Sequence, residues 1–214
     1  MQLNISGIVG FGIALLTATV SLAGPLPTDP AALAAWRGSQ VISSTKLTGT
    51  VQYAVYAPGQ FQTSAALGNP VDPTGGADYI YAYEIIAGSQ LIKDLTVGIQ
   101  TGAVPAASPF VGHFAGTPEL GVGPTTSIFN SAGPSASNAK WTDLGPTFWM
   151  NNHSDILYFA SAFPPHLFVS SLSQGGAVIA TNFLPSPIPE PGTAALSIVA
   201  VACMAVVARR LRKR

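Results

Sequence analysis

Residues 78–87 read Asp78-Tyr79-Ile80-Tyr81-Ala82-Tyr83-Glu84-Ile85-Ile86-Ala87. Successive side chains of a β-strand point to opposite faces. Tyr79, Tyr81, Tyr83 and Ile85 therefore share one face, and Ile80, Ala82, Glu84 and Ile86 share the other. Aromatic and β-branched residues at period two, followed by Gly88-Ser89 and a resumed pattern over 91–99, predict a hairpin. Upstream, Leu47, Val51, Tyr53 and Val55 alternate with Thr48, Thr50, Gln52 and Ala54, the pattern of a second half-buried strand.

Working outward, short strands are predicted over 111–114, 127–130, 147–151, 156–161, 167–171 and 178–183. Gly, Pro, Ser and Asn punctuate the connections, as in Gly121-Val122-Gly123-Pro124 and Ser131-Ala132-Gly133-Pro134-Ser135. One short helix is expected near 30–37, where Asp29 can cap, Pro30 can take the first helical position and Gly38 can terminate. About eight short strands with almost no helix predict an all-β fold, an antiparallel β-sandwich over 24–184.

Charge removes one class of function. The 214 residues hold 9 basic and 9 acidic side chains, yet five of the cations are Arg209, Arg210, Arg212, Lys213 and Arg214. The stretch from 24 to 188 has four basic residues against eight acidic ones, a net charge of −4. Phosphate contacts supply most nucleic-acid affinity and need a basic stripe, so no nucleic-acid partner is expected. Charged residues are only 8% of the chain and hydrophobic ones 48%, which points to membrane segments at the ends of a packed domain.

Residues 5–23 carry no charge and close on Ser21-Leu22-Ala23 before Gly24. Small residues at the last and third-last positions predict a signal peptide helix over 1–23, cut by signal peptidase between Ala23 and Gly24, with an uncleaved anchor as the alternative. Residues 192–208 form a second uncharged run, about 25 Å long as a helix at about 1.5 Å per residue. This just spans a hydrocarbon core of about 30 Å, so a transmembrane helix is predicted there. The basic tail 209–214 resists translocation and belongs in the cytoplasm. Between domain and helix, 185–191 forms a Pro-rich extended spacer containing Pro189-Glu190-Pro191.

The P-E-P motif, the short apolar helix and the terminal Arg cluster together resemble the PEP-CTERM sorting signal of Gram-negative bacteria, over Pro189 to Arg214. The resemblance implies export, transient anchoring in the inner membrane with the body in the periplasm, and cleavage near the motif by an exosortase. Release to the cell surface or an exopolysaccharide-containing extracellular matrix would follow. Leu184-Pro185-Ser186-Pro187-Ile188 does not fit a sortase motif, and a GPI signal would not end in arginines. A plain single-pass envelope anchor is the simpler alternative. The body also resembles the β-sandwich ectodomains found beside such tails, in Tyr79 to Tyr83, Leu95-Thr96-Val97-Gly98-Ile99, and Tyr158-Phe159-Ala160-Ser161 before Pro164-Pro165. That likeness implies a fold and no catalytic residue.

Little in the sequence selects a chemistry. Cys203, the single cysteine, lies in the tail helix, so the mature body has no disulfide. His113, His153 and His166 have no compact metal-ligand spacing, and no G-x-S-x-G elbow occurs, so no catalytic residue, metal or cofactor is assigned. His153-Ser154-Asp155 beside Asn151 and Asn152 reads as a turn before a strand, with a small site as the alternative. Asp72 to Asp78 reads as a solvated connection, with a Ca²⁺ loop as the alternative. Tyr79, Tyr81, Tyr83, Trp141, Phe148 and Trp149 either fill a core or, exposed, stack on sugar rings as an exopolysaccharide-binding face. An envelope hydrolase would need carboxylates, or a His and a Ser, brought together in a cleft.

Overall fold

The computed structural model describes residues 24–87, 90–100, 103, 110–114, 121, 123–131, 136–144, 153–174 and 178–188. The predicted signal peptide, transmembrane helix and basic tail lie outside these residues, as does the strand expected over 147–151. Among the described residues, no helix is long and apolar enough to cross a membrane.

Among the described residues ten strands follow in order: β1 (Arg37–Ser43), β2 (Thr48–Tyr56), β3 (Tyr79–Ala87), β4 (Asp94–Gly98), β5 (Val111–Phe114), β6 (Thr126–Ser131), β7 (Ala136–Thr142), β8 (Ile156–Ser161), β9 (Pro165–Ser173) and β10 (Val178–Pro187). They form two five-stranded sheets, β1-β2-β3-β8-β5 and β10-β9-β4-β7-β6, antiparallel throughout. The sheets share one core, to which Tyr81, Tyr83, Leu157 and Phe159 come from the first and Leu95, Val97, Trp141, Leu172 and Leu184 from the second. The all-β, sandwich-like architecture expected from the sequence is therefore present.

The aromatic strand β3 is central. Its Tyr83 pairs with Tyr53 of β2 on one side and Leu157 of β8 on the other. Its second face is covered too: Ile80 and Ala82 pack with Leu26, Ala54, Tyr56, Phe61, Leu67 and Ile156 in a smaller cluster. Burial on both faces explains why the stretch is almost uninterruptedly apolar.

The hairpin predicted between 78–87 and 91–99 does not form. Both edges of β3 are already taken by β2 and β8, so the chain crosses to the other sheet, where β4 pairs with β7 and β9. The crossing is pinned by buried Ile92, by Lys93 N–H donating to the Ser173 carbonyl at 2.9 Å, and by Leu144 N–H donating to the Lys93 carbonyl at 3.1 Å.

The helix expected near 30–37 is also corrected. Asp29 does accept from Ala31 N–H at 2.9 Å, as a cap would, but 3₁₀ turns form at Leu26–Thr28 and Ala34–Trp36, and Arg37 already begins β1. Leu33 N–H donates to the Val55 carbonyl at 2.8 Å, and this tie to β2 wins over helix propagation.

The Pro-rich spacer begins later than expected. Pro185 and Pro187 lie in β10, opposite Leu167 and Pro165 of β9, so the domain extends to 187 and not 184. Proline is tolerated because β10 is an edge strand, and two prolines spaced by two direct their hydrogen-less nitrogens to the same unpaired side.

Candidate functional site

Two clusters of buried polar side chains involve the segment 153–155 that enters β8. Ser154 is locked to β3 by two bonds: its N–H donates to the Ile85 carbonyl at 2.9 Å, and Ile85 N–H donates to its Oγ at 2.9 Å. That hydroxyl spends its own proton on the Asp155 carbonyl at 2.7 Å. Ser154 is thus a structural clip.

On one side of this clip His153 Nδ1 stands 2.9 Å from Glu84 Oε1 and 3.3 Å from the Ser154 carbonyl. Both neighbours are acceptors, so Nδ1 carries the proton. Glu84 is 3% exposed and faces Gln52 directly across the β2–β3 pair. On the other side His113, on the edge strand β5, pairs its Nδ1 with Asp155 Oδ2 at 2.9 Å; the imidazole remains 37% exposed and the carboxylate is buried. The Gly-rich connection packs tightly here. A Cβ on Gly121 would fall 2.2 Å from the Ser154 carbonyl carbon and oxygen, and one on Gly123 would fall 2.7 Å from Asp155 Oδ2. These imidazole–carboxylate pairs can orient a proton, and neither has a described nucleophile beside it.

A third buried carboxylate has a purely architectural role. Asp29 accepts from Tyr56 Oη at 2.7 Å and from the Ser64 hydroxyl, while the Arg37 guanidinium donates to its main-chain carbonyl. Burial, with help from Asp29, pushes the Tyr56 phenol far above its ordinary range.

The other residues singled out from the sequence fall as follows. Tyr81 and Tyr83 are fully buried and Tyr79 is packed against the same core, so the aromatic strand presents no sugar-stacking platform. Trp141 is buried as well, with Nε1 donating to the Gly112 carbonyl at 2.8 Å, while Phe148 and Trp149 lie outside the described residues. The tyrosine hydroxyls are satisfied internally: Tyr81 donates to the Phe163 carbonyl at 2.8 Å and Tyr83 to the Pro185 carbonyl. Desolvation raises both phenols strongly.

Asp72 is buried and forms an Asx turn, accepting from Thr74 N–H at 2.8 Å and Thr74 Oγ1 at 2.7 Å. Desolvation, and then the charge of Asp72, raise the Asp78 carboxyl. Among the described residues no group of three or more His, Cys, Asp or Glu side chains is assembled for a metal ion. His166 is exposed on β9.

Of the sorting and processing residues, Ala23, Pro189, Glu190, Pro191, Arg209, Arg210, Arg212, Lys213 and Arg214 lie outside the described residues. Gly24 is described, and it sits against Glu84 and Gln52. The Glu84 cluster had one sequence signal, a lone charge inside the apolar run 79–87. The pairing of His113 with Asp155, 42 residues apart, had none. No protein-family model, no curated protein and no solved structure matches the chain.

Proposed function

We propose that the chain is an exported cell-envelope protein whose PEP-CTERM-like tail holds it in the inner membrane until an exosortase cuts near Pro189-Glu190-Pro191. The body then acts at the cell surface or in the extracellular matrix without catalysis of its own. The observation that carries this reading is the joint occurrence of P-E-P, a 17-residue uncharged run and a terminal Arg cluster at the end of the chain.

Where the fold closes supports the same reading. The last described backbone tie is Ile188 N–H donating to the Pro164 carbonyl at 3.3 Å, one residue before the motif. A cut at or beyond Pro189 therefore leaves every described strand and its pairing intact. A body of antiparallel sheets with no cysteine needs no disulfide chemistry after release. The carbohydrate-binding alternative loses the tyrosines that motivated it, and any exopolysaccharide contact would have to use other surfaces.

Mass spectrometry of the cell-surface fraction tests the proposal. The expected mature chain starts at Gly24 and lacks the peptides beyond the motif. Tail peptides extending to Arg214 in the surface form would reduce the protein to a plain single-pass anchor.

A further inference from the structure

We infer that the sandwich carries a built receptor for its own mature N-terminus: Gln52 and Glu84, with His153 behind them, take the α-ammonium of Gly24 once the Ala23–Gly24 bond is cut. The inference rests on the signal-peptidase step of the proposed export. Hydrolysis adds water across that bond, leaving a carboxylate on Ala23 and a protonated amine on Gly24.

Three observations carry it. The first is distance. A Cβ on Gly24 would lie 1.8 Å from Glu84 Oε2, 2.6 Å from Glu84 Cδ and 2.7 Å from Gln52 Oε1. A backbone nitrogen lies about 2.5 Å from its own Cβ position, which puts the Gly24 nitrogen within about 4.3 Å of the carboxylate oxygen. A side chain at this position would collide with both acceptors.

The second is unmet hydrogen-bonding capacity. Gln52 Oε1 is buried, on a residue 5% exposed, and has no hydrogen-bond partner among the described residues. Buried acceptors are satisfied in native proteins. The amide of a precursor offers one N–H, whereas an ammonium offers three, so it can bond Gln52 Oε1 and still lie beside the Glu84 carboxylate. A donor beside Glu84 also fits its surroundings, since Oε1 already faces the Nδ1–H of His153 and the carboxylate is buried at 3% exposure.

The third is that Gly24 is held in place from the other side. Leu26 is fully buried in the cluster with Tyr56, Ile80 and Ala82, and Asp29 is bonded to Tyr56 and Ser64. Removing the leader therefore leaves the new terminus two residues from an anchored side chain.

The test uses the full chain with its own leader, expressed in a Gram-negative host and purified in detergent. Mass spectrometry of the N-terminal peptide establishes the cut, and the same peptide reports acylation of the α-amine by an N-hydroxysuccinimide ester at neutral pH. Each unit by which a carboxylate raises an amine's pKa lowers its reactive fraction about tenfold, so the wild type is expected to acylate at least about fivefold more slowly than Glu84→Gln. Gln52→Met, which keeps the volume, gives a smaller acceleration and serves if Glu84→Gln does not accumulate. Gly24→Ala, a residue signal peptidase accepts after its cut, is expected to be processed normally yet to melt about 5 °C lower or more. Equal acylation in wild type and both acceptor variants overturns the inference alone, whatever the Gly24→Ala melt. A mature N-terminus other than Gly24 overturns the cleavage site as well.

Discussion

Removing the Tyr83 hydroxyl tests how the last strand is held. Tyr83 stands on β3 of one sheet, is fully buried, and donates across the core to the Pro185 carbonyl of β10 in the other. In an antiparallel strand the N–H and C=O of one residue point to the same side. Pro185 has no N–H toward β9, so its carbonyl also faces away from that ladder, and no β9 amide can replace the phenol. Tyr83→Phe thus forfeits a net hydrogen bond of about 0.5–1.5 kcal/mol and strands a buried acceptor at about 1–3 kcal/mol, for a total near 2 kcal/mol. For a domain of this size that lowers Tm by about 4–8 °C. The assay is urea unfolding followed by tryptophan fluorescence on the detergent-solubilised chain, with Tyr53→Phe as the control. The Tyr53 ring is half-buried, its hydroxyl has no described hydrogen-bond partner, and its loss is expected to change stability by less than about 0.5 kcal/mol. A Tyr83→Phe variant within the same 0.5 kcal/mol of wild type would refute the reasoning and detach β10 from the core.

Two further outcomes follow from the same core. Phe159 is the hub of the aromatic packing, stacked on Tyr81 at 4.9 Å and in contact with Tyr83, Trp141 and Phe129 at 6.1, 6.4 and 5.9 Å. Phe159→Ala is expected to cost about 3–5 kcal/mol in a urea titration, and a loss under about 1.5 kcal/mol would mean that the site collapses around the deletion. Burial raises the phenols of Tyr56, Tyr81 and Tyr83 above the unfolded value of about 10. A group whose folded pKa is raised contributes stability that is present below the unfolded pKa and lost as pH rises above it. The protein is therefore expected to unfold cooperatively in alkali, the phenolate absorbance of these three appearing together with loss of the sheet circular dichroism; smooth ionisation of all six tyrosines with the sheet intact would contradict their burial.

Strand positions were legible wherever a face alternated. β2 and β3 lie where the period-two pattern of Leu47 to Val55 and Tyr79 to Ile86 places them, and β5 and β8 coincide with the short strands predicted over 111–114 and 156–161. β1 was not read because only Ile42 in Arg37–Ser43 is buried. β7 was missed because its alternation is short, with Ala139 and Trp141 its only described buried side chains. The Tyr ladder illustrates the limit of periodicity. Alternation says that Tyr79, Tyr81 and Tyr83 share a face, but whether that face meets solvent or a second sheet depends on residues such as Trp141 and Leu172, far along the chain.

Composition and near neighbours alone account for the two apolar ends, the absence of thiols between them and the preference for strands. Partnership was decided only by the tertiary structure. It sent β4 to the opposite sheet because both edges of β3 were occupied, admitted Pro185 and Pro187 to an edge strand, joined His113 to Asp155, and brought Gly24 against Glu84 and Gln52. Each of these outcomes is a competition among distant segments for one edge or one buried acceptor. The free energy of such a competition is a property of the packed whole and has no local signature.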